Sequence, residues 1–216
     1  LDKLLLLSKG EHHFSIQHDG SEHLQEMVQN GKGGILVSGH IGNWDIAGQL
    51  LNGLKTKFNV LIYENEKQNI KAFLDQVQSK REIKFIVIQE TGMGHIIELN
   101  NAFKNNELVV MHGDRFRDDT ASLNVDFMGQ KADFASGPFV LASKFGVPIS
   151  FVFSIKESNR NYHLYSSKLC YPKRTRSEED TIESAKMLLH KYVQSLEAMV
   201  IKHPDQWFNF YQFWKK

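Results

Sequence analysis

The feature that most constrains the fold is the alternation of short apolar runs with longer segments that can form helices. Four apolar runs lie in the first half of the chain, at residues 34–38, 59–63, 84–88 and 107–111. Because these runs are apolar throughout, they are typical of strands that are buried on both faces of a sheet. Helix-length segments separate them, at residues 44–55, 66–80 and 93–104. This order predicts right-handed crossovers between parallel strands.

The second half of the chain has a different rhythm. A helix is predicted from Gly137 to Phe145, ended by Gly146 and Pro148. Residues 149–155 and 162–168 then predict two strands joined as a hairpin. Ser177 is placed to cap a long amphipathic helix that follows it. We therefore predict an α/β fold with a mostly parallel central sheet flanked by helices, formed by a single domain over residues 1–216.

Composition excludes several classes of protein. The 216 residues carry a net charge of +1, so no broad basic surface for nucleic acid is predicted. A lone cysteine, Cys170, excludes an internal disulfide framework. No uninterrupted apolar stretch approaches the roughly 20 residues that a spanning helix needs. The chain begins at Leu1 rather than Met, and we expect that an N-terminal membrane-anchoring segment precedes it.

Residues 38–45 (SGHIGNWD) are the most informative stretch, because they follow a predicted buried strand and precede a predicted helix. Ligands of open α/β sheets bind beyond the carboxyl ends of the strands. There, the Asp45 carboxylate could fold back to one nitrogen of the His40 imidazole, leaving the other to accept a proton. Helix amides after Gly42 could steady developing negative charge. In the alternative interpretation, Asp45 only caps the helix and His40 is an ordinary loop histidine.

Residues 39–45 resemble the His-x4-Asp/Glu motif of the glycerolipid acyltransferase superfamily. Within it, the chain resembles the bacterial lipid A biosynthesis (lauroyl/myristoyl) acyltransferases. Five further segments resemble motifs of that family in the same order along the chain: residues 109–115, 125–132, 135–138, 145–149 and 203–208. The last of these, HPDQWF, is similar to a Pro-Glu-Gln-Trp-Phe motif near the end of family members.

The resemblance implies a glycerolipid acyltransferase-like fold and transfer of an acyl group from a thioester to a hydroxyl or amine. His40 would be the general base and Asp45 its orienting partner. The acceptor would attack the thioester directly, with no acyl-enzyme and no cofactor, and Cys170 would not be a nucleophile. The substrate-binding residues that the resemblance implies are Gly42, Asn43, Asp114, Arg115, Gly129, Ser136 and Gly137.

The resemblance also implies partners and a location. The donor would be acyl carrier protein or acyl-CoA, and the acceptor a lipid A precursor or related lipid. The protein would act at the cytoplasmic face of the bacterial inner membrane, attached peripherally or by an N-terminal anchor. Four basic residues, Lys168, Lys173, Arg174 and Arg176, could steer an acidic carrier protein or attract anionic headgroups. The aromatic segment at residues 207–214 is expected either to attach the protein to the membrane or to pack on the domain.

Two departures from the family pattern leave the acceptor open. Many family members carry Asp-x-Asp where this chain has Asp114, Arg115 and Phe116, so the second acid is absent. A His-Arg-Arg type ending is also missing after residue 208. Two other functions remain as alternatives. One is a metal-dependent hydrolase that uses the acidic residues between 114 and 126 together with His112, and the other is a non-catalytic lipid-binding domain.

Overall fold

The computed structural model describes residues 14–43, 54–63, 83–88, 93–115, 121–210 and 212–214. Nine strands are found in these residues: β1 (Ser15–Asp19), β2 (Gly34–Ser38), β3 (Phe58–Tyr63), β4 (Ile83–Ile88), β5 (Leu108–His112), β6 (Ser122–Phe127), β7 (Gln130–Ala135), β8 (Ile149–Lys156) and β9 (Asn161–Ser166). Seven of them form one sheet in the order β1-β9-β8-β2-β5-β3-β4, and β6 and β7 form a separate hairpin.

The sheet is mostly parallel. Strand β8 runs antiparallel to β9, and every other neighbouring pair in the seven-stranded sheet is parallel. Strand β2 lies at the centre between β8 and β5, and all five of its residues are buried. The predicted architecture, a mostly parallel sheet with helices beside it, is confirmed. Its central strand is also the one that leads into the His40 loop.

Four helices belong to the described residues: α1 (Ser21–Gln29), α2 (Gly94–Lys104), α3 (Gly137–Phe145) and α4 (Glu178–Lys202). The predicted cap of α4 is present, since the Ser177 hydroxyl accepts a hydrogen bond from the Asp180 amide at 3.1 Å. The helices predicted at residues 44–55 and 66–80 lie outside the described residues, apart from Leu54 and Lys55. Across the described chain, no helix combines the length and apolar character needed to cross a bilayer.

Three elements were not predicted from the sequence: β1, α1 and the β6–β7 hairpin. The turn of this hairpin consists of Met128 and Gly129, whose φ angles of 52° and 78° are both left-handed. Two consecutive left-handed residues form the tight turn that suits the twist of a two-residue hairpin. Because methionine is rare at such a position, the local sequence carried only half of the usual turn signal.

Helix α4 packs beneath the sheet and supports the carboxyl end of β2. Its residue Tyr192 is completely buried, and the phenol donates a hydrogen bond to the Ser38 carbonyl at 3.0 Å. The Tyr192 ring also contacts Phe139 and Phe151, with centroid separations of 5.5 Å in both cases. A buried aromatic ring with a satisfied hydroxyl contributes both apolar burial and directional bonding. The end of β2 is therefore held from below by one side chain.

The loop after β2 is held between two other segments through its backbone. Gly42 donates to the Gln206 carbonyl at 2.9 Å, and Asn43 donates to the Ser154 carbonyl at 2.7 Å. Gly42 has a φ of 67°, and a Cβ atom added there would lie 1.9 Å from the Ser154 oxygen. Only glycine combines the left-handed conformation with this close approach.

Substitution of Gly42 by alanine should therefore destabilise the protein far more than the same change at Gly129. Gly129 shares the left-handed conformation, with φ of 78°, but a Cβ there would meet nothing within 4 Å. We expect Gly129→Ala to cost about 1 kcal/mol of unfolding free energy from strain alone. Gly42→Ala should cost more than about 3 kcal/mol, because a backbone oxygen must also move. Urea unfolding monitored by circular dichroism measures both, and equal losses would contradict the close-approach argument.

Candidate active site

His40 and Asp114 form a hydrogen-bonded pair beyond the carboxyl ends of two neighbouring parallel strands. His40 follows β2 and Asp114 follows β5. The ring Nδ1 of His40 lies 2.7 Å from Oδ1 of Asp114, and the His40 backbone amide donates to Oδ2 at 2.6 Å. One carboxylate thus binds both the main chain and the side chain of the same histidine.

The pair leaves one nitrogen of the imidazole available for chemistry. Asp114 is only 2% exposed, whereas the His40 side chain is 22% exposed. Burial acts to raise the pKa of Asp114, but the hydrogen bonds from the ring and the amide of His40, together with the attraction of the His40 and His112 imidazoles in their protonated forms, outweigh burial and lower it. An ionised carboxylate accepts the Nδ1 proton, so the Nε2 atom carries the lone pair. The arrangement is therefore that of an oriented general base.

A second histidine lies against the first. The rings of His112 and His40 are stacked, with centroids 4.4 Å apart and planes at 27°. The pKa of His112 is lowered to about 4, mainly by burial and next by the charge of His40, with a further contribution from Arg115; Asp114 acts in the opposite direction. His112 is therefore neutral at pH 7. From the sequence, His112 was expected only as a possible metal ligand, because its place beside His40 depends on the pairing of Ser38 with His112 in the sheet.

The same cluster is the one group of potential metal ligands among the described residues. One ligand atom each from His40, His112 and Asp114 lies within 4.8 Å of the others. However, both oxygens of Asp114 already accept hydrogen bonds from His40, at 2.7 Å from the ring and at 2.6 Å from the amide. Asp126 does not belong to this group, since it is exposed and paired with Lys131 at 2.9 Å. Asp118 and Asp119 lie outside the described residues.

Two glycines, Gly39 before His40 and Gly113 before Asp114, occupy positions where a side chain would meet neighbouring atoms closely. A Cβ atom at Gly39 would lie 3.2 Å from Oδ2 of Asp114 and 3.1 Å from the Tyr192 hydroxyl. A Cβ at Gly113 would lie 2.7 Å from a methyl carbon of Val37 and 2.9 Å from the Tyr192 ring. Gly39 thus lets the His40 loop lie close to the Asp114 carboxylate, whereas Gly113 leaves room for Val37 of β2 and for the Tyr192 ring of α4.

The segment at residues 206–208 forms one wall of the site. The Phe208 amide donates to the His40 carbonyl at 2.7 Å, and the Arg115 guanidinium donates to the Phe208 carbonyl at 2.6 Å. The Gln206 side chain bonds to both the amide and the carbonyl of Lys156, at 3.0 and 2.8 Å. The HPDQWF motif therefore fixes the His40 loop against the end of β8.

The aromatic segment at residues 207–214 divides into two parts. Trp207, Phe213 and Trp214 pack around Phe127 with centroid separations of 5.4–6.1 Å. By contrast, Phe208 is 43% exposed and Phe210 is 86% exposed. Their rings lie 6.2 Å apart. The two tryptophans are partly buried and pack against the core, and the two phenylalanines present apolar surface to solvent.

The other predicted site residues have the following places. Asp45 lies outside the described residues, as do the helix amides expected to follow Asn43. The Asn43 side chain donates to the Tyr162 hydroxyl at 3.2 Å. Gly129 lies in the exposed turn between β6 and β7. The Ser136 hydroxyl donates to the Ala121 carbonyl at 2.8 Å, and Gly137 is the first residue of α3. Contact of these residues with substrate stays a prediction.

Comparison with known protein families finds a match over almost the whole chain. The model of the bacterial lipid A biosynthesis acyltransferase family matches residues 5–216. Among solved structures, the chain is similar to the 1-acyl-sn-glycerophosphate (LPA) acyltransferase PlsC from Thermotoga maritima. That match has 16% identity and a TM-score of 0.49, and it covers 91% of this chain and 81% of the other. No curated protein matches the sequence.

The lowered pKa of His112 predicts a specific loss of stability in acid. In the unfolded chain the imidazole has its ordinary pKa of 6.5, whereas in the fold the pKa is about 4. Between these values the unfolded state binds more protons, so unfolding free energy falls as the pH falls from 6.5 to about 4. At about 1.4 kcal/mol per pKa unit, His112 contributes about 3 kcal/mol of this loss.

His112→Phe should remove this part of the pH dependence. The phenyl ring keeps a flat surface against His40 but binds no proton. Urea unfolding of both proteins between pH 4 and 7 measures the slope, which is independent of any constant stability difference between them. His190→Phe, at an exposed position of α4, serves as the control. Identical slopes for wild type and His112→Phe would contradict the prediction.

Proposed function

Because the chain belongs to the bacterial lipid A biosynthesis acyltransferase family, we propose that His40 is the general base of its acyl transfer reaction. The donor is a fatty acyl thioester of acyl carrier protein or CoA, and the acceptor is a hydroxyl or amine of a membrane lipid. The observation that carries this proposal is that the buried Asp114 carboxylate accepts hydrogen bonds from both the amide and the ring of His40. The reaction takes place at the cytoplasmic face of the bacterial inner membrane.

The proposed chemistry needs one proton acceptor and one negative charge behind it. Nε2 of His40 takes the proton of the acceptor as its oxygen or nitrogen attacks the thioester carbonyl. The imidazolium that forms is stabilised by the Asp114 carboxylate, because little water is present to screen that charge. As the carbon–sulfur bond breaks, the imidazolium returns the proton to the leaving thiolate. General base catalysis of this kind contributes about 10²–10⁴-fold in rate.

We assign the orienting role to Asp114. The resemblance implies Asp45 for this role, and Asp45 lies outside the described residues. What supports Asp114 is that its carboxylate occupies Nδ1 at 2.7 Å, which is the nitrogen that an orienting acid must bind. The neutral His112 ring then keeps the imidazole flat against one side. Gly42 and Asn43 already donate their amides to backbone carbonyls, so they do not supply oxyanion donors.

Substitutions at the pair should abolish transfer without unfolding the protein. We expect His40→Ala and Asp114→Asn each to lower kcat/KM by about 10²–10⁴-fold, since each removes an oriented base. Mass spectrometry follows lipids that gain one acyl chain when the protein is mixed with acyl carrier protein thioesters, acyl-CoA and a bacterial lipid extract. Full activity of His40→Ala would contradict the general-base assignment.

Two further variants separate the alternatives. Asp126→Asn removes a carboxylate of similar type that is exposed and paired with Lys131, so transfer should be unchanged. Loss of activity in this variant, together with inhibition by a chelator, would instead favour the metal-dependent hydrolase. Asp45→Asn tests the partner that the sequence motif implies. If Asp45→Asn abolishes transfer and Asp114→Asn does not, the orienting role belongs to Asp45. Unchanged lipid binding by His40→Ala, with no transfer from any thioester, would favour the non-catalytic domain.

We also propose that Phe208 and Phe210 enter the lipid surface beside the catalytic histidine. Both rings are exposed, and the backbone of Phe208 bonds directly to His40 and Arg115. Aromatic rings next to a cation suit the boundary between headgroups and acyl chains. Insertion here would bring the His40 site to the level at which a lipid acceptor carries its polar groups.

Replacement of these two rings should weaken attachment to membranes. We expect Phe208→Ser/Phe210→Ser to lower flotation with anionic liposomes by about tenfold. Full burial of an apolar side chain contributes about 1.5–3 kcal/mol, and shallow insertion of each ring contributes part of that free energy. Met187→Ser, at a 60% exposed position of α4, is the control for general loss of surface apolarity. Equal flotation of the double variant and wild type would exclude the two phenylalanines as the attachment point. Trp207 and Trp214 are unsuitable for this test because they are partly buried and pack against the core.

A further inference from the structure

A second concentration of charge lies away from the His40 site. Lys144, Arg174 and Arg176 line a hollow of about 440 Å³ together with Thr175 and Thr181. The hollow lies where the end of α3 and the beginning of α4 meet the extended residues between β9 and α4. All three cationic residues are exposed. The hollow has the size of a small-molecule site rather than of a single ion.

The hollow lies near the end of the sheet where β8 begins, whereas His40 lies at the opposite end, beyond the carboxyl end of β2. Arg174 packs on Gly146, which shortly precedes β8, whereas Ser154 near the end of β8 pairs with Gly42 of the His40 loop. From Ile149 to Ser154 the strand rises by roughly 17 Å. This exceeds the Debye length of about 8 Å at physiological ionic strength. Arg174 and Arg176 therefore do not form a rim around His40.

The backbone that carries the two arginines is fixed in place. Gly146 has a φ of 66°, and a Cβ added there would lie 2.8 Å from the Arg174 Cβ. The Thr175 amide donates to the Ser143 carbonyl at 3.0 Å. The hydroxyls of Thr175 and Thr181 are 2.7 Å apart. The arginines thus extend from an ordered segment, which lowers the entropy lost when they bind a ligand.

The three cations have no opposite charge bound to them. In the described part of the chain, no ion pair or side-chain hydrogen bond involves Lys144, Arg174 or Arg176. The acidic residues of the first turn of α4, Glu178 to Asp180, are exposed and do not line the hollow. Like charges held around one space repel each other, and a bound anion removes that repulsion. The planar guanidinium matches the oxygens of a phosphate group.

We propose that this hollow binds a phosphate group, as a site separate from the catalytic centre. The phosphate can belong to a soluble phosphorylated compound or to a phospholipid headgroup, since both present the same anionic oxygens. Arg174 and Arg176 hold the oxygens with their forks, and Lys144 adds a point charge from the other side. This inference does not depend on the proposed role of His40.

Calorimetric titration of the 216-residue protein with sodium pyrophosphate tests the soluble source. We expect saturable binding that weakens at least tenfold in Arg174→Gln/Arg176→Gln, and also in Lys144→Gln. A double variant with the same loss of charge elsewhere, Lys84→Gln/Lys131→Gln, is the control; both lysines are exposed and ion-paired. No binding of pyrophosphate and none to the vesicles described below would overturn the proposal, as would equal weakening in the control.

Flotation with vesicles tests the headgroup source. Vesicles of phosphatidylcholine with and without phosphatidate are compared for wild type and the same variants, in the Phe208→Ser/Phe210→Ser background to remove apolar attachment. Loss of phosphatidate-dependent binding in Arg174→Gln/Arg176→Gln, without binding of pyrophosphate, would assign the site to a headgroup. His40-dependent acyl transfer should be unchanged in Arg174→Gln/Arg176→Gln and in Lys144→Gln with both phenylalanines intact, on detergent-dispersed lipid, so failure of this proposal and failure of the acyltransferase proposal are distinguishable.

Discussion

The buried carboxylate of Asp114 is the interaction on which the rest of the site depends. An ionised group with almost no exposure is stable only if hydrogen bonds and opposite charge compensate for lost hydration. His40 supplies two donors, one from its backbone and one from its ring. Gly39 lies where a methyl group would press on the Asp114 carboxylate, and Gly113 lies where a methyl group would collide with Val37 and Tyr192. Tyr192 from below and Phe208 from the side then hold the loop in which the histidine lies.

The sheet was largely predictable from local sequence, because a fully apolar run indicates a strand that is buried on both faces. Strand β2 is the clearest case, since each of its residues is apolar or small and each is buried. Strand β1 was not predictable in this way. Its sequence, SIQHD, is mostly polar, and only the pairing with β9 at the edge of the sheet makes it a strand. Tertiary hydrogen bonding, rather than intrinsic propensity, defines an edge strand of this kind.

The candidate active site was only partly predictable. The position of His40 directly after a predicted buried strand indicated a functional residue, and this inference needed only the neighbouring sequence. Asp114 lies 74 residues further on, and its partnership with the imidazole follows from β5 lying beside β2 in the sheet order. A single sequence contains no information on that order. For the same reason, Asp114 was expected from the family resemblance only to contact the acceptor or to order the site, without His40 as its named partner, and His112 was considered only as a metal ligand.

The two hydrogen bonds that Asp114 accepts from His40 have a consequence for selectivity between the lipid acceptor and water. Because the carboxylate binds the histidine's own amide as well as its ring, the imidazole is oriented before either substrate arrives. In the general-base role that we propose for His40, a base that is already assembled can accept a proton from water as well as from an alcohol or amine. Under that proposal, hydrolysis of the thioester is an intrinsic hazard of this geometry. Selectivity for transfer over hydrolysis must then come from the groups that admit or exclude water near Nε2 of His40. The His40–Asp114 pair does not itself distinguish water from the lipid acceptor.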